Sequence, residues 1–294
     1  MTRAIDVGVD QLPVLPAVVV RLMGLSPASD SYFEEVLRVA GEDPGLAIRV
    51  IHAANSTESA PIHPVHALQS AVARLGATRI GSLVTAMAVT QVFVPRSRRE
   101  VDLWVHAIEV ASACELMAAS DGSLGIEPHH AYVCGLLHDI GRFVMFDLTP
   151  DKLRAVDDGG WASPAELVSA EEEIFGYTHS EVGYQLCLRW NIPPRIAAVV
   201  RDHHKPLELR PPVGGDERLV AMVEMADQLS VLLRTHGIGA LDTDADTRTA
   251  LMAATCVDPA WPAPPVPARV LAALAPRIVE AARAASGRLA LTYT

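Results

Sequence analysis

The sequence predicts an all-α protein, and three observations carry the prediction. Aromatics make up 5% of the 294 residues while Ala, Val and Leu abound, which suits helix–helix contacts filled by small and branched aliphatics. Apolar residues recur at helical spacing along most of the chain, and no segment sustains the period-two alternation of a half-buried strand. With 50% apolar and 20% charged residues, the chain is neither disordered nor a coiled coil. Its length allows one large domain or two lobes.

The elements follow in order. Leu12-Pro13-Val14-Leu15-Pro16 is extended, so the first helix starts near Pro16, where proline is welcome, and stops near Pro27. Ser31-Tyr32-Phe33-Glu34 has capping-box spacing and opens a second helix to about Ala40. Asp43-Pro44 reads as N-cap and first helical residue of a third, ending near Asn55. After a loop at Pro61–Pro64, Val65 to Leu75 and Thr78 to Val94 form a helical hairpin around Gly76-Ala77. The hairpin resembles a DNA-reading helix-turn-helix in outline, but Ile80, Leu83, Val84, Met87 and Val92 make its second helix too apolar for a groove.

Pro95-Arg96-Ser97-Arg98-Arg99 is a solvated basic break and the predicted boundary between lobes. Helices are expected beyond it from about Glu100 to Ala119, Pro128 to Asp139, Pro164 to Phe175, His179 to Trp190, Pro194 to His203 and Asp216 to Arg234. Prolines 259, 262, 264, 265 and 267 form a semi-extended connector into a last helix, Ala268 to Ser286. The expected organisation is a helical lobe over 1–96, a second lobe over 97–235, and the connector with its helix over 236–294.

The net charge of −11 repels phosphate backbones and argues against nucleic acid as a partner. Residues 1–100 hold nine basic and nine acidic residues, so the remainder carries the whole imbalance. Cys114, Cys134, Cys187 and Cys256 form no CxxC pair, which points away from disulfides and cysteine zinc sites. Apolar runs are interrupted by charges well before membrane-spanning length, and no basic leader precedes an apolar run at Met1. A reducing cytoplasm without membrane attachment is the expected setting.

The histidines carry the chemistry. Of eleven, seven fall between residue 100 and Asp227, and several adjoin carboxylates: His106, His138-Asp139, His179, His203-His204, then Asp227. Imidazole nitrogen with carboxylate oxygen suits Fe, Mn, Zn or Ni, and an Asp can bridge two ions. The expected site therefore holds one or two divalent ions, with His106, His138, Asp139 and Asp227 as one group of ligands, His179, His203 and His204 as the other, and Asp139 as the bridge. Gly141 is expected to turn the chain after His138-Asp139. Glu173 is a candidate acceptor behind a metal-bound His179, or equally a residue that solvates its helix. His129-His130 reads as a solvent-exposed helix start, His52, His63 and His66 as surface or packing residues, and Trp104 and Trp190 as core.

These residues come in the order of the ligand series of HD-superfamily metal-dependent phosphohydrolases. With Leu12–Pro16, Asp43-Pro44-Gly45-Leu46, Ala71–Gly76, Leu103–His106, Gly135–Gly141 and Trp190–Pro193, the chain resembles an HDOD domain, the HD-related output domain of bacterial signalling, over about Asp10 to Leu233. The resemblance implies an N-terminal helical bundle packed on an HD-like lobe. It also implies a regulatory role, exercised through a signalling partner or a small phosphate-containing ligand; a metal-dependent phosphohydrolase acting on a nucleotide or other phosphoester is the alternative. In that alternative Asp139 and Arg142 are the candidate catalytic residues, the guanidinium fork of Arg142 being suited to a phosphate, or more simply to a surface ion pair. Related HD-GYP enzymes that cleave cyclic di-GMP carry Lys where Arg142 stands and continue past their His-His with Asp-Gly-x-Gly-Tyr-Pro. Here Lys205-Pro206-Leu207 follows, which argues against that activity.

Overall fold

The computed structural model describes residues 15, 17–26, 29–42, 47, 50, 51, 54, 55, 65–161, 163–206, 217–261 and 263–293. The helix expected over 43–55 lies largely outside this set, as do the ends at Pro16 and Pro27 and residues His52 and His63. Among the described residues the chain is helical with no strand. It divides into two compact units, one of residues 13–94 and 190–193, the other of 1–12, 95–189 and 194–294.

The first unit contains α1 (Ala17–Gly24), α2 (Asp30–Glu42), α3 (Leu68–Leu75) and α4 (Ala77–Val92). Its core is aliphatic: Leu22, Met23, Val36, Val72, Ile80 and Val89 are fully buried. Ile80 and Val84, two of the apolar residues that make α4 unsuited to a DNA groove, are thus spent inside the bundle. The start of α2 differs from expectation. Ser29 rather than Ser31 caps it, its hydroxyl oxygen accepting from the Tyr32 amide at 3.2 Å, because the helix begins one residue before Ser31. Trp190, 2% exposed, packs against Phe93 within the same unit, and His66 is exposed.

The second unit is built on α5 (Arg98–Ser120), which packs against α6 (Pro128–Leu137), α12 (Glu217–His236) and α14 (Ala268–Tyr293). Between them lie α7 (Ile140–Leu148), α8 (Pro150–Asp157), α9 (Pro164–Phe175), α10 (His179–Arg189), α11 (Pro194–Asp202) and α13 (Ala245–Thr255). The basic break is where α5 begins. The Ser97 hydroxyl accepts from the Glu100 amide while the Glu100 carboxylate accepts from the Ser97 amide, a capping box on the free amides of the first turn. Trp104 stacks on Phe143 with ring centres 4.4 Å apart, a core role as expected.

Two glycines set helix spacing around the future site. A Cβ on Gly135 would lie 2.8 Å from the Ala111 Cα, so α5 and α6 can meet only because it has none. Gly141 does not turn the chain, as the sequence suggested. It sits inside α7, and a Cβ there would overlap the carbonyl oxygen of His179, so it lets α7 lie directly on the start of α10. The turn is made by His138 and Asp139 themselves, between α6 and α7.

Candidate metal centre

Five pieces of the second unit deliver the site. His106 comes from the middle of α5, His138 and Asp139 from the corner between α6 and α7, His179 from the first residue of α10, His203 and His204 from the turn after α11, and Asp227 from the middle of α12. Residues up to 98 positions apart, His106 to His204, therefore converge on one carboxylate, Asp139, whose residue is only 6% exposed. Its Oδ1 lies 3.1 Å from His179 Nε2 and 3.7 Å from His203 Nε2. Its Oδ2 lies 3.6 Å from His106 Nε2 and 3.7 Å from His138 Nε2. Asp227 faces His106 Nε2 at 3.3 Å, and the His204 ring stands 4.1 Å from that of His203 and 5.0 Å from that of His179. Two sets of potential ligands thus share Asp139: with His106 and His138 on one side, and with His179, His203 and His204 on the other.

The outer hydrogen bonds decide how the imidazoles present themselves. His138 Nδ1 is 2.7 Å from the Gly135 carbonyl oxygen and His203 Nδ1 is 2.9 Å from that of Val200. A carbonyl only accepts, so both Nδ1 atoms carry the proton and both Nε2 atoms offer a lone pair inward. His179 Nδ1 donates to Glu171 Oε2 at 2.7 Å, which turns its Nε2 to Asp139 Oδ1 at 3.1 Å. His106 Nδ1 is 2.9 Å from Ser230 Oγ, whose own proton goes to Glu109 at 2.6 Å, so the hydroxyl accepts from the imidazole. Four histidines are thereby held through Nδ1 with Nε2 turned toward Asp139. His179 Nε2 and His203 Nε2 face each other at 3.2 Å. Two lone pairs at that separation repel unless a proton or another cation lies between them.

Electrostatics agree with that demand. Burial opposes ionisation of Asp139, yet the histidines beside it, His138 first, hold its carboxyl well below the usual range. Asp227 is likewise lowered against burial, by His106. Burial lowers His138 to about 4 and holds His204 well below the ordinary imidazole value. Burial also opposes a charge on His179, but Glu171 and Asp139 outweigh it and push that imidazole up to about 9. The two carboxylates thus stay ionised beside the neutral imidazoles of His138 and His204, with His179 supplying positive charge at Asp139.

Several expectations need correction. The acceptor behind His179 is Glu171, not Glu173, which is exposed. Leu167 and Glu171, four residues apart, form the buried side of α9, and that spacing was available in the sequence. Arg142 is no surface residue: it is 7% exposed, pairs with Asp157 and with Glu171 at 3.2 Å, and its Nε is 3.9 Å from Asp139. His129 is fully buried rather than solvent-exposed. Glu109 and Ser230 were missed, although each follows a candidate ligand by three residues and so shares its helix face.

The centre is reached from outside. A cavity of about 610 Å³ is lined by His106, Asp139, His204 and Asp227 together with Arg99, Arg234 and Trp161.

The profile of the HDOD domain matches residues 12–206. The chain belongs to the HDOD family. The HDOD chain is similar to the crystal structure of an HDOD domain protein of unknown function from Geobacter sulfurreducens, at 28% identity and a TM-score of 0.73, covering 96% of this chain and 94% of that one. A candidate phosphohydrolase from Shewanella amazonensis SB2B matches at 26% identity with a TM-score of 0.69, covering 96% of each chain. A curated relative, an uncharacterized protein of Treponema pallidum (strain Nichols), is 22% identical over 199 residues; the match takes in 67% of this chain and 38% of that protein. Among the described residues no helix is long and apolar enough to cross a membrane.

Proposed function

We propose that this HDOD protein is a regulatory module of bacterial signalling that holds one or two divalent ions at the Asp139 cluster. The observation that carries the reading is the inward convergence of Nε2 atoms, with His179 and His203 facing each other at 3.2 Å and His138 Nε2 buried without a hydrogen-bond partner. Imidazole nitrogen with carboxylate oxygen is the donor set of Fe, Mn, Zn or Ni. His106, His138, Asp139 and Asp227 would hold one side of the centre and His179, His203 and His204 the other, with each Asp139 oxygen turned to a different pair of imidazoles. Because the ligands come from α5, the α6–α7 corner, α10, the end of α11 and α12, the metal would tie together five pieces of the second unit. Partner proteins would read the helical surfaces of the folded lobe.

Phosphoester hydrolysis is the second reading, favoured by the cavity that opens onto Asp139, His204 and Asp227. Bound ions would supply Lewis acidity and a water acidified to hydroxide. Asp139 would then be the catalytic bridging carboxylate. The Arg142 guanidinium is engaged by Asp157 and Glu171, so its part would be to position Glu171 and, through it, His179. The 26% identical candidate phosphohydrolase from Shewanella supports keeping this reading.

The test is metal content of protein purified without chelators, before and after Fe, Mn or Zn is added back, for the wild type and for Asp139→Asn. Uptake by the wild type alone is expected; a wild type that takes up no metal refutes the proposal. Signalling output that survives in folded Asp139→Asn marks a scaffold, whereas output lost in step with a measured hydrolytic rate favours the enzyme.

A further inference from the structure

A second cavity, about 460 Å³, adjoins the first and shares with it Ser163, Pro164, His204, Asp227 and Gln228. Position along α12 shows that the two leave the centre in different directions. Val231, Arg234 and Thr235 line the first cavity, Glu224 lines the second, and Asp227 and Gln228 line both. Seven residues of helix from Glu224 to Val231 span about 10 Å, so the shared residues sit at a junction with one cavity toward each end of the helix. The second cavity has its own wall, residues Ala254 to Pro259 and Trp261, which lie beyond the matched stretch of 12–206. Each cavity offers one large aromatic surface, Trp161 in the first and Trp261 in the second, with apolar neighbours such as Phe146 and Val257.

Charge narrows what can occupy this pair. The cations lining the cavities are already paired: Arg99 with Asp158 at 2.8 Å, Arg142 with Asp157 and Glu171, Arg234 with Glu109 at 3.6 Å, and Lys205 with Asp202 at 2.8 Å. The carboxylates of the first lining are spent in the same way, Asp157 and Asp158 on these arginines and Asp139 and Asp227 at the centre. Little is left in either cavity to bind a second or third phosphate. A phosphate at the junction is flanked by two cavities, each within the range that receives an organic group.

From this arrangement we infer that the centre takes a phosphodiester of single negative charge, its phosphate at the junction beside His204 and Asp227 and one uncharged organic arm in each cavity. The inference rests on the metal-centre reading and adds to it the class of ligand. A monoester would leave one cavity empty, and a nucleoside polyphosphate would place charge where the lining cations are already paired.

The experiment titrates full-length, metal-loaded protein calorimetrically with inorganic phosphate, phenyl phosphate and diphenyl phosphate, after its metal content has been measured. Diphenyl phosphate is expected to bind at least about tenfold more tightly than phenyl phosphate, since it buries a second aromatic arm. Two variants each fill one cavity from an exposed helical position, Val231→Trp the first and Ala254→Trp the second. Each should bring diphenyl phosphate down to the affinity of phenyl phosphate and leave inorganic phosphate unchanged. If either variant fails to fold, Trp161→Phe and Trp261→Phe take its place, because diphenyl phosphate should perturb the fluorescence of both tryptophans. Metal uptake and phosphate binding with no preference for the diester overturns the inference alone, as does a diester that perturbs only one of the two tryptophans. Protein that takes up no metal overturns the metal-centre reading, and the inference falls with it.

Discussion

Glu171→Gln separates a carboxylate that organises the centre from one that merely happens to be buried. In the native protein Glu171, with no exposed surface, accepts from the His179 amide at 2.8 Å and from His179 Nδ1 at 2.7 Å through Oε2, and from Arg142 at 3.2 Å through Oε1. Glutamine keeps the volume but replaces one oxygen with an NH2 that can only donate. Whichever way the amide turns, it sets donor against donor, at either Arg142 or His179. A hydrogen bond to a charged group contributes about 1.5–3 kcal/mol, and stranding one partner of a buried ion pair costs about 3–5 kcal/mol. Arg142 retains Asp157, so the full cost of a stranded charge does not apply. The expected loss is about 2–4 kcal/mol of unfolding free energy, measured by chemical denaturation with an unchanged m-value. Metal affinity should fall about 10–100-fold, because His179 loses the acceptor that fixes its tautomer. Glu173→Gln, two residues along the same acidic run and exposed, should stay within about 0.5 kcal/mol of the wild type. A loss below about 0.5 kcal/mol for Glu171→Gln, or equal losses for the two variants, would refute the reasoning.

Other expectations follow from the same structure. Gly141→Ala should destabilise by about 1–3 kcal/mol despite the better helix propensity of Ala, and weaken metal uptake as well, since the new methyl displaces His179; calorimetry and metal analysis check both. Ser97→Ala removes the capping hydroxyl of α5 and should cost about 1 kcal/mol in denaturation without changing metal content. All four cysteines are buried, so a thiol reagent at pH 8 should label none in the native protein and four after unfolding. Burial pushes Cys187 up to about 12 and Cys256 up to about 11, from an ordinary 9.0. The folded state therefore favours the protonated thiols, a contribution present in full below pH 9 and lost between pH 9 and 12 as the unfolded thiols ionise; unfolding curves over that interval should show stability falling with pH.

The sequence by itself determined the fold class, most helices of the second unit and the set of residues that meet at Asp139. Apolar periodicity and cap residues act over a few positions, and imidazoles beside carboxylates stand out against a 5% aromatic background. It did not separate α7 and α8 from their surroundings or reveal α13, whose eleven residues bury Met252 alone and so show no apolar period. Only tertiary structure decided the rest. Whether Glu171 or Glu173 serves His179 depends on which side of α9 faces inward, and a run of three glutamates does not say. Whether Gly141 turns the chain or admits a neighbour depends on α10, some forty residues on. Whether Arg142 meets solvent or the carboxylates of Asp157 and Glu171 depends on α8 and α9 folding over it. Each is a contact between residues distant in the chain, set by how helices pack and by which charges the packing leaves paired, and local spacing carries no record of that.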